Sequence, residues 1–161
     1  GASGTFTNCI SNNYSFGGTS GGASGTFTNC KATGYSFGNL GGASGTFTNC
    51  ISGHESFGYS GGASGTFTNC RAESYSFGYS GGSTGTFTNC IASSYSFDTY
   101  GVASGTFTNC IGGTLSFGGN TGGSITGKLY YCRLSSGTFK TVSSGGRTYY
   151  CIDGNGTPNN Q

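Results

Sequence analysis

"GTFTNC" occupies residues 4–9 and recurs unchanged at 25–30, 45–50, 65–70, 85–90 and 105–110. The cysteines that close the copies fall at 9, 30, 50, 70, 90 and 110, so the step is constant after the first copy and only one position longer before it. A second constant stretch, S-F-G (S-F-D in the fifth copy), follows each of them, its Phe always seven residues after the Cys. A fixed period of roughly 20 residues marks a chain of stacked equivalent turns, each too short to bury its own apolar face and each covered by its neighbours. T-F-T and S-F-G, separated by Gly- and Ser-rich bends, predict two short strands per turn.

Substitution among the copies shows which way side chains face. The residue after each Cys is Ile10, Lys31, Ile51, Arg71, Ile91 or Ile111, and a position that accepts Lys and Arg reaches water. Phe6 and its equivalents Phe27, Phe47, Phe67, Phe87 and Phe107 never change. Strand alternation then sets Ala2, Gly4, Phe6 and Asn8 on one face and Ser3, Thr5 and Thr7 on the other, so Phe points in and the hydroxyls point out. Strict alternation would also turn Cys9 outward and residue 10 inward, against the evidence of Lys31 and Arg71. A bend at Asn8 resolves this, because Asn tolerates unusual backbone conformations and its amide can bond its own image one turn away. The Asn column is expected as a buried or half-buried ladder at a corner, with Cys facing inward beyond it. Phe16, Phe37, Phe57, Phe77, Phe97 and Phe117 form a second buried column, and the neighbouring column of Tyr14, Tyr35, Glu55, Tyr75, Tyr95 and Leu115 is expected at a partly exposed edge.

These readings converge on an all-β chain, a single parallel β-helix (β-solenoid) with about 20 residues per turn. Residues 1–118 hold six regular turns, a rod on the order of 30 Å long at about 4.8 Å per turn. Residues 119–161 are expected to form irregular last turns and a C-terminal cap. There L-Y-Y-C at 129–132 and T-Y-Y-C at 148–151 read as degraded versions of T-F-T-N-C, and Phe139 again sits seven residues after Cys132. The polar tail at 153–161 is expected to close the open sheet edge and to be a true end. Residue 1 lies inside a repeat, so the opposite edge is expected to be covered by further sequence or to pair with another molecule.

Composition narrows the function classes. Only 6% of the residues are charged, 35 of 161 are glycine, and Trp and Met are missing, which is unusual for a globular enzyme. Glycine follows no three-residue period, against collagen, and 13 Phe and 11 Tyr at regular positions give the chain something to bury, against disorder. No apolar run is long enough to span a membrane, and no charged-then-apolar leader is visible. Net charge is +2, and Lys31, Arg71, Lys128, Arg133, Lys140 and Arg147 are scattered, so no nucleic-acid partner is expected.

Eight cysteines admit two readings. Stacked copies bring neighbouring Cys Cα atoms about 4.8 Å apart, within disulfide range, so Cys9–Cys30, Cys50–Cys70, Cys90–Cys110 and Cys132–Cys151 are permitted pairs. Equally, free Cys is a small hydrophobe that stacks well. No C-x-x-C pair exists and His54 is the sole histidine, so no metal site and no cofactor are expected. His54 occupies a variable loop position and reads as a surface residue. Glu55 and Glu73 fall at nearby positions of adjacent turns, as a glycosidase pair would, but at variable sites where they read as surface charge. The chain is therefore expected not to be an enzyme. Two sequons, beginning at Asn13 and Asn155, are of the kind that arise by chance in such a composition.

What the fold does not explain is the outward face. Ser3, Thr5 and Thr7 are followed by Ser24, Thr26 and Thr28, by Ser44, Thr46 and Thr48, by Ser64, Thr66 and Thr68, by Thr84, Thr86 and Thr88, and by Ser104, Thr106 and Thr108, an uncharged grid of eighteen hydroxyls. Over residues 2–108 the T-F-T pair resembles the Thr-x-Thr arrays of β-solenoid ice-binding proteins, whose flat threonine ranks order water at near-ice spacing. The style of the whole chain, G-T-F-x-N-C with S-F-G, then L-Y-Y-C-R-L-S-S-G-T-F-K and C-I-D-G-N-G-T, is similar to repeat regions of phage tail-fibre and bacterial surface proteins. That resemblance implies a stiff fibre, filament or adhesin segment, extracellular on a virion or cell. Few charges oppose association, so end-to-end or lateral self-association is expected. A surface ligand, a glycan at the Tyr-rich edge (Tyr14, Tyr35, Tyr59, Tyr75, Tyr79, Tyr95) and ice are the other candidate partners.

Overall fold

T-F-T is the longest strand each turn can form, one inward ring flanked by two outward β-branched residues that favour extended backbone. In the computed structural model, which describes residues 1–18, 20–119, 123–139, 142–143 and 145–161, these strands stack into a parallel β-solenoid, with no helix among the described residues. Thr5–Thr7, Thr26–Thr28, Thr46–Thr48, Thr66–Thr68, Thr86–Thr88 and Thr106–Thr108 pair in register, Thr on Thr and Phe on Phe. Lys128–Tyr130 and Arg147–Tyr149 continue the same sheet to eight strands.

The second wall differs from the expected one. It begins directly after the Cys, as Ile51–Ser52, Arg71–Ala72, Ile91–Ala92, Ile111–Gly112 and Arg133–Leu134, and at the Cys itself in Cys151–Ile152, with bridges Ile10 to Lys31 to Ile51 carrying it back to the first turn. S-F-G is a bend, not a strand. Its Phe residues have φ between 47° and 55°, and the residues two before them, Tyr14 to Leu115, lie between 49° and 61°. A left-handed residue cannot continue a strand, and for a side chain larger than Gly it costs roughly 1–2 kcal/mol. Burial of the whole ring offsets that cost at Phe37, Phe57, Phe77, Phe97 and Phe117. A third, narrower wall runs through bridges Ala2, Ala23, Ala43, Ala63, Ser83 and Ala103. Here successive turns approach so closely that a Cβ on Gly65 would collide with the carbonyl oxygen of Gly45.

The corner falls where the sequence places it. Asn8, Asn29, Asn49, Asn69, Asn89 and Asn109 all have φ of 52–54°, and this left-handed residue swings Cys inward after an inward Phe. The amides form a ladder, Asn29 Nδ2 donating to Asn8 Oδ1 at 3.1 Å and so on to Asn109 and Asn89 at 3.3 Å. The ladder is exposed, contrary to the buried or half-buried position expected. It stands on the convex side of the bend, where the backbone turns away from it.

Two phenylalanine stacks fill the core. Phe6 through Phe107 stack at 4.8–4.9 Å and within 5° of parallel, and Phe16 through Phe117 do likewise within 12°. Across the core the two stacks meet edge to face at 5.4–5.9 Å, so each interior ring has stacked and T-shaped neighbours. Beside them runs a column that sequence reading did not single out. The N–H groups of Ser15, Ser36, Ser56, Ser76 and Ser96 each donate to the serine Oγ one turn on, at 3.2–3.3 Å. Ser36 to Ser116 are fully buried, so this ladder satisfies backbone donors that the bend leaves unpaired.

The last turns keep the register and change the residues. Leu129 lies on Phe107, and Thr148 lies on Leu129. Thr148 ends the core column: its hydroxyl donates to Asn159 Oδ1 at 3.0 Å and accepts from the Gln161 N–H at 2.9 Å. Pro158–Asn159 pairs antiparallel with Cys151–Ile152, folding the tail over the sheet end. Lys140, one of the scattered basic residues, lies outside the described residues.

Candidate functional site

Because Phe6 and its equivalents turn inward, Thr5 and Thr7 and their equivalents turn outward, and in-register pairing lines them into columns. Thr5, Thr26, Thr46, Thr66 and Thr86 are exposed and Thr106 is half-buried; Thr7 is exposed, and Thr28, Thr48, Thr68, Thr88 and Thr108 are half-buried. Ser3, Ser24, Ser44, Ser64, Thr84 and Ser104 extend the face as a third exposed column. Hydroxyls thus repeat about every 4.8 Å along the rod and about 7 Å across it. Among the described residues, threonine side chains bond other protein groups at Thr33, Thr99, Thr114 and Thr148, none of them on this face. The face is left to solvent.

The cap shows that the strand does not require threonine. Lys128 and Arg147 occupy the column of Thr106, and Tyr130 and Tyr149 that of Thr108, with the sheet unbroken.

Phe, Asn, Ser and Cys are different, since each makes its bonds or contacts with its own image. All eight cysteines stand as free thiols in the structure, one above the other in successive turns. Each thiol from the second turn onward points at a carbonyl one turn back, Cys50 Sγ at Phe27 O (3.4 Å), Cys70 at Phe47 O (3.4 Å) and Cys132 at Phe107 O (3.4 Å). Cys9 is half-buried and the other seven are buried. Burial pushes the Cys132 thiol up to about 12, so it stays protonated and is a poor nucleophile or metal ligand at neutral pH. Among the described residues no three His, Cys, Asp or Glu side chains gather as metal ligands would.

The titratable groups stand apart. His54 Nε2 lies 2.7 Å from Glu73 Oε2, an exposed pair in adjacent turns. Asp98 and Asp153 are buried, whereas Glu55 is half-buried and Glu73 exposed. Asp153 Oδ1 accepts the N–H groups of Asn155 and Thr157 and shapes the tail. Asp98 stands where other turns have Gly38, Gly58, Gly78 and Gly118; its Oδ1 accepts the Gly101 N–H at 2.6 Å and its Oδ2 has no partner. Burial raises its carboxyl to about 6. The Tyr-rich edge does assemble: Tyr14 on Tyr35, Tyr59 on Tyr79 and Tyr75 on Tyr95 each stack at 5.1 Å. On the second wall a shallow groove of about 410 Å³ runs past Lys31, Ile51, Arg71 and Glu73.

Comparison with known proteins returned no match: no family model, no curated protein and no solved structure is significantly similar to the chain.

Proposed function

We propose that the chain is a non-enzymatic structural element, a stiff rod that serves as a fibre, filament or adhesin segment on the outside of a virion or cell. The observation that carries this reading is the set of uninterrupted ladders. Two Phe stacks, the Asn amides and the serine hydroxyls run through all six regular turns, so bending the rod would strain every column together. Nothing in the sequence pattern calls for a cofactor. Among the described residues no helix is long and apolar enough to cross a membrane. An uncharged flat face favours lateral contact between rods, since little electrostatic repulsion opposes it. Sedimentation velocity and electron microscopy test this: filaments, or a mass many times that of a single chain, are expected, and a strictly monomeric particle at high concentration would remove self-assembly.

A second reading, ice binding, draws on a specific observation. Threonine is constant over six turns on a strand that accepts Lys128, Arg147, Tyr130 and Tyr149 elsewhere, so its constancy answers to something outside the fold. A flat, in-register hydroxyl grid is a surface suited to ordering water. Growth of ice crystals in the protein's presence decides it: faceted crystals, lost on Thr66→Lys, support the reading, and unaltered ice growth ends it.

A further inference from the structure

The C-terminal end of the hydroxyl face has a chemistry of its own. Lys128 and Arg147 are paired on adjacent parallel strands, about 4.8 Å apart at Cα, and both side chains are exposed. Like charges placed directly side by side destabilise a sheet. Neither forms an ion pair, the one among the described residues being His54 with Glu73. Two residues along the same outward side of the strand, Tyr149 stacks on Tyr130 at 4.9 Å, and at the corner beyond it Tyr150 stacks on Tyr131 at 5.2 Å. Each outer ring has one face covered by its partner. Beside both stacks, where the tail folds back and Asn160 Oδ1 accepts the Tyr150 N–H, a recess of about 240 Å³ is lined by Tyr149, Tyr150 and Asn160.

We propose that this end of the rod binds an anionic glycan, a pyranose ring seated against Tyr149 and Tyr150 and its acidic group held by Arg147 and Lys128. Ring faces suit the C–H surface of a sugar, the Asn160 amide can bond its hydroxyls, and an Arg beside a Lys suits a carboxylate or sulfate. The neighbouring threonine columns, beginning at Thr106, offer further hydroxyls along which a glycan chain can extend. A nucleic acid fits less well, since its backbone needs a continued basic track and the face turns uncharged after these two residues. The inference rests on the adhesin form of the rod reading for its setting and supplies its ligand. Filaments without glycan binding would remove this proposal and leave the rod standing.

Calorimetric titration with oligogalacturonate, sulfated dextran, neutral cello-oligosaccharide and oligo(dT) tests it. Binding of either acidic glycan, weakened by salt and at least about tenfold tighter than the neutral one, is expected, and the arm that binds names the acid as carboxylate or sulfate. Arg147→Gln, Lys128→Gln and Tyr149→Ala should each lower that affinity about tenfold with the melting temperature nearly unchanged, and Thr66→Lys should leave it intact. Failure of both acidic glycans to bind, equal binding of the neutral one, tighter binding of oligo(dT), or wild-type affinity in Arg147→Gln and Tyr149→Ala would each overturn it.

Discussion

The six regular turns and the last two turns share one register and obey it with different residues. In the regular turns like stacks on like, ring on ring and amide on amide, so every interior turn gains from both neighbours. In the last turns Leu129 and then Thr148 replace Phe, Tyr131 and Tyr150 replace the corner Asn, and the columns run out. The difference separates what the fold needs from what it merely permits. Identity matters where a residue bonds or stacks with its own image, whereas the outward columns change from Thr to Lys, Arg and Tyr without loss of the strand.

The largest effect should come from breaking a stack at its centre. Phe67→Ala removes a ring held between Phe47 and Phe87 and edge-on to Phe57 and Phe77, and should cost about 3–5 kcal/mol in chemical denaturation. Phe6→Ala, at a half-buried ring with one stacked neighbour, should cost clearly less. Equal losses would mean that the stacks are not additive columns.

Asp98 is an irregularity inside the regular array, and its effect depends on pH. Its folded-state value, about 6, lies above its ordinary one of 3.8, so between those two pH values the folded chain holds a proton that the unfolded chain has released. The stability it permits is fully present below pH 3.8 and is lost as pH rises through about 6. Asp98→Asn keeps the acceptor for Gly101 and tolerates the φ of 63°, so it should be more stable by about 2 kcal/mol near neutrality and lose that advantage in acid. Thermal melts across that window check both arms.

Smaller still is the corner. Asn69→Ala loses amide bonds to Asn49 and Asn89 and a side chain that tolerates φ 54°, and should cost about 1–2 kcal/mol. Asn69→Gly should recover the backbone part alone. Thr66→Lys, in a column where Lys128 is already accommodated, should change stability by less than about 0.5 kcal/mol.

How far these features were legible follows from which residues report on direction. Lys31 and Arg71 betrayed an outward position after Cys, which located the corner at Asn8 and set Phe inward and Thr outward. The bend at Phe16 was missed because a large apolar residue at regular spacing reads as a strand, and nothing in its identity announces a left-handed backbone. The serine ladder was missed because a Ser between Tyr and Phe looks like turn composition; its constancy beside a constant Phe was the available signal. Exposure of the Asn ladder depends on which side of a bend is convex, which spacing does not encode. The hydroxyl face was readable from alternation alone, whereas the Lys128, Arg147 and Tyr149 cluster needed the register that lays irregular turns on regular ones.

Removal of one whole turn tests the account most directly. Deleting residues 51–70 joins Cys50 to Arg71 and preserves every column. The shortened chain should unfold cooperatively, and its maximum dimension in small-angle scattering should fall by about 5 Å, one strand spacing. Deleting residues 51–60, half a period, should abolish folding. An unfolded full-turn deletion, or a half-turn deletion that folds as well, would contradict a rod whose length is set by the number of identical turns.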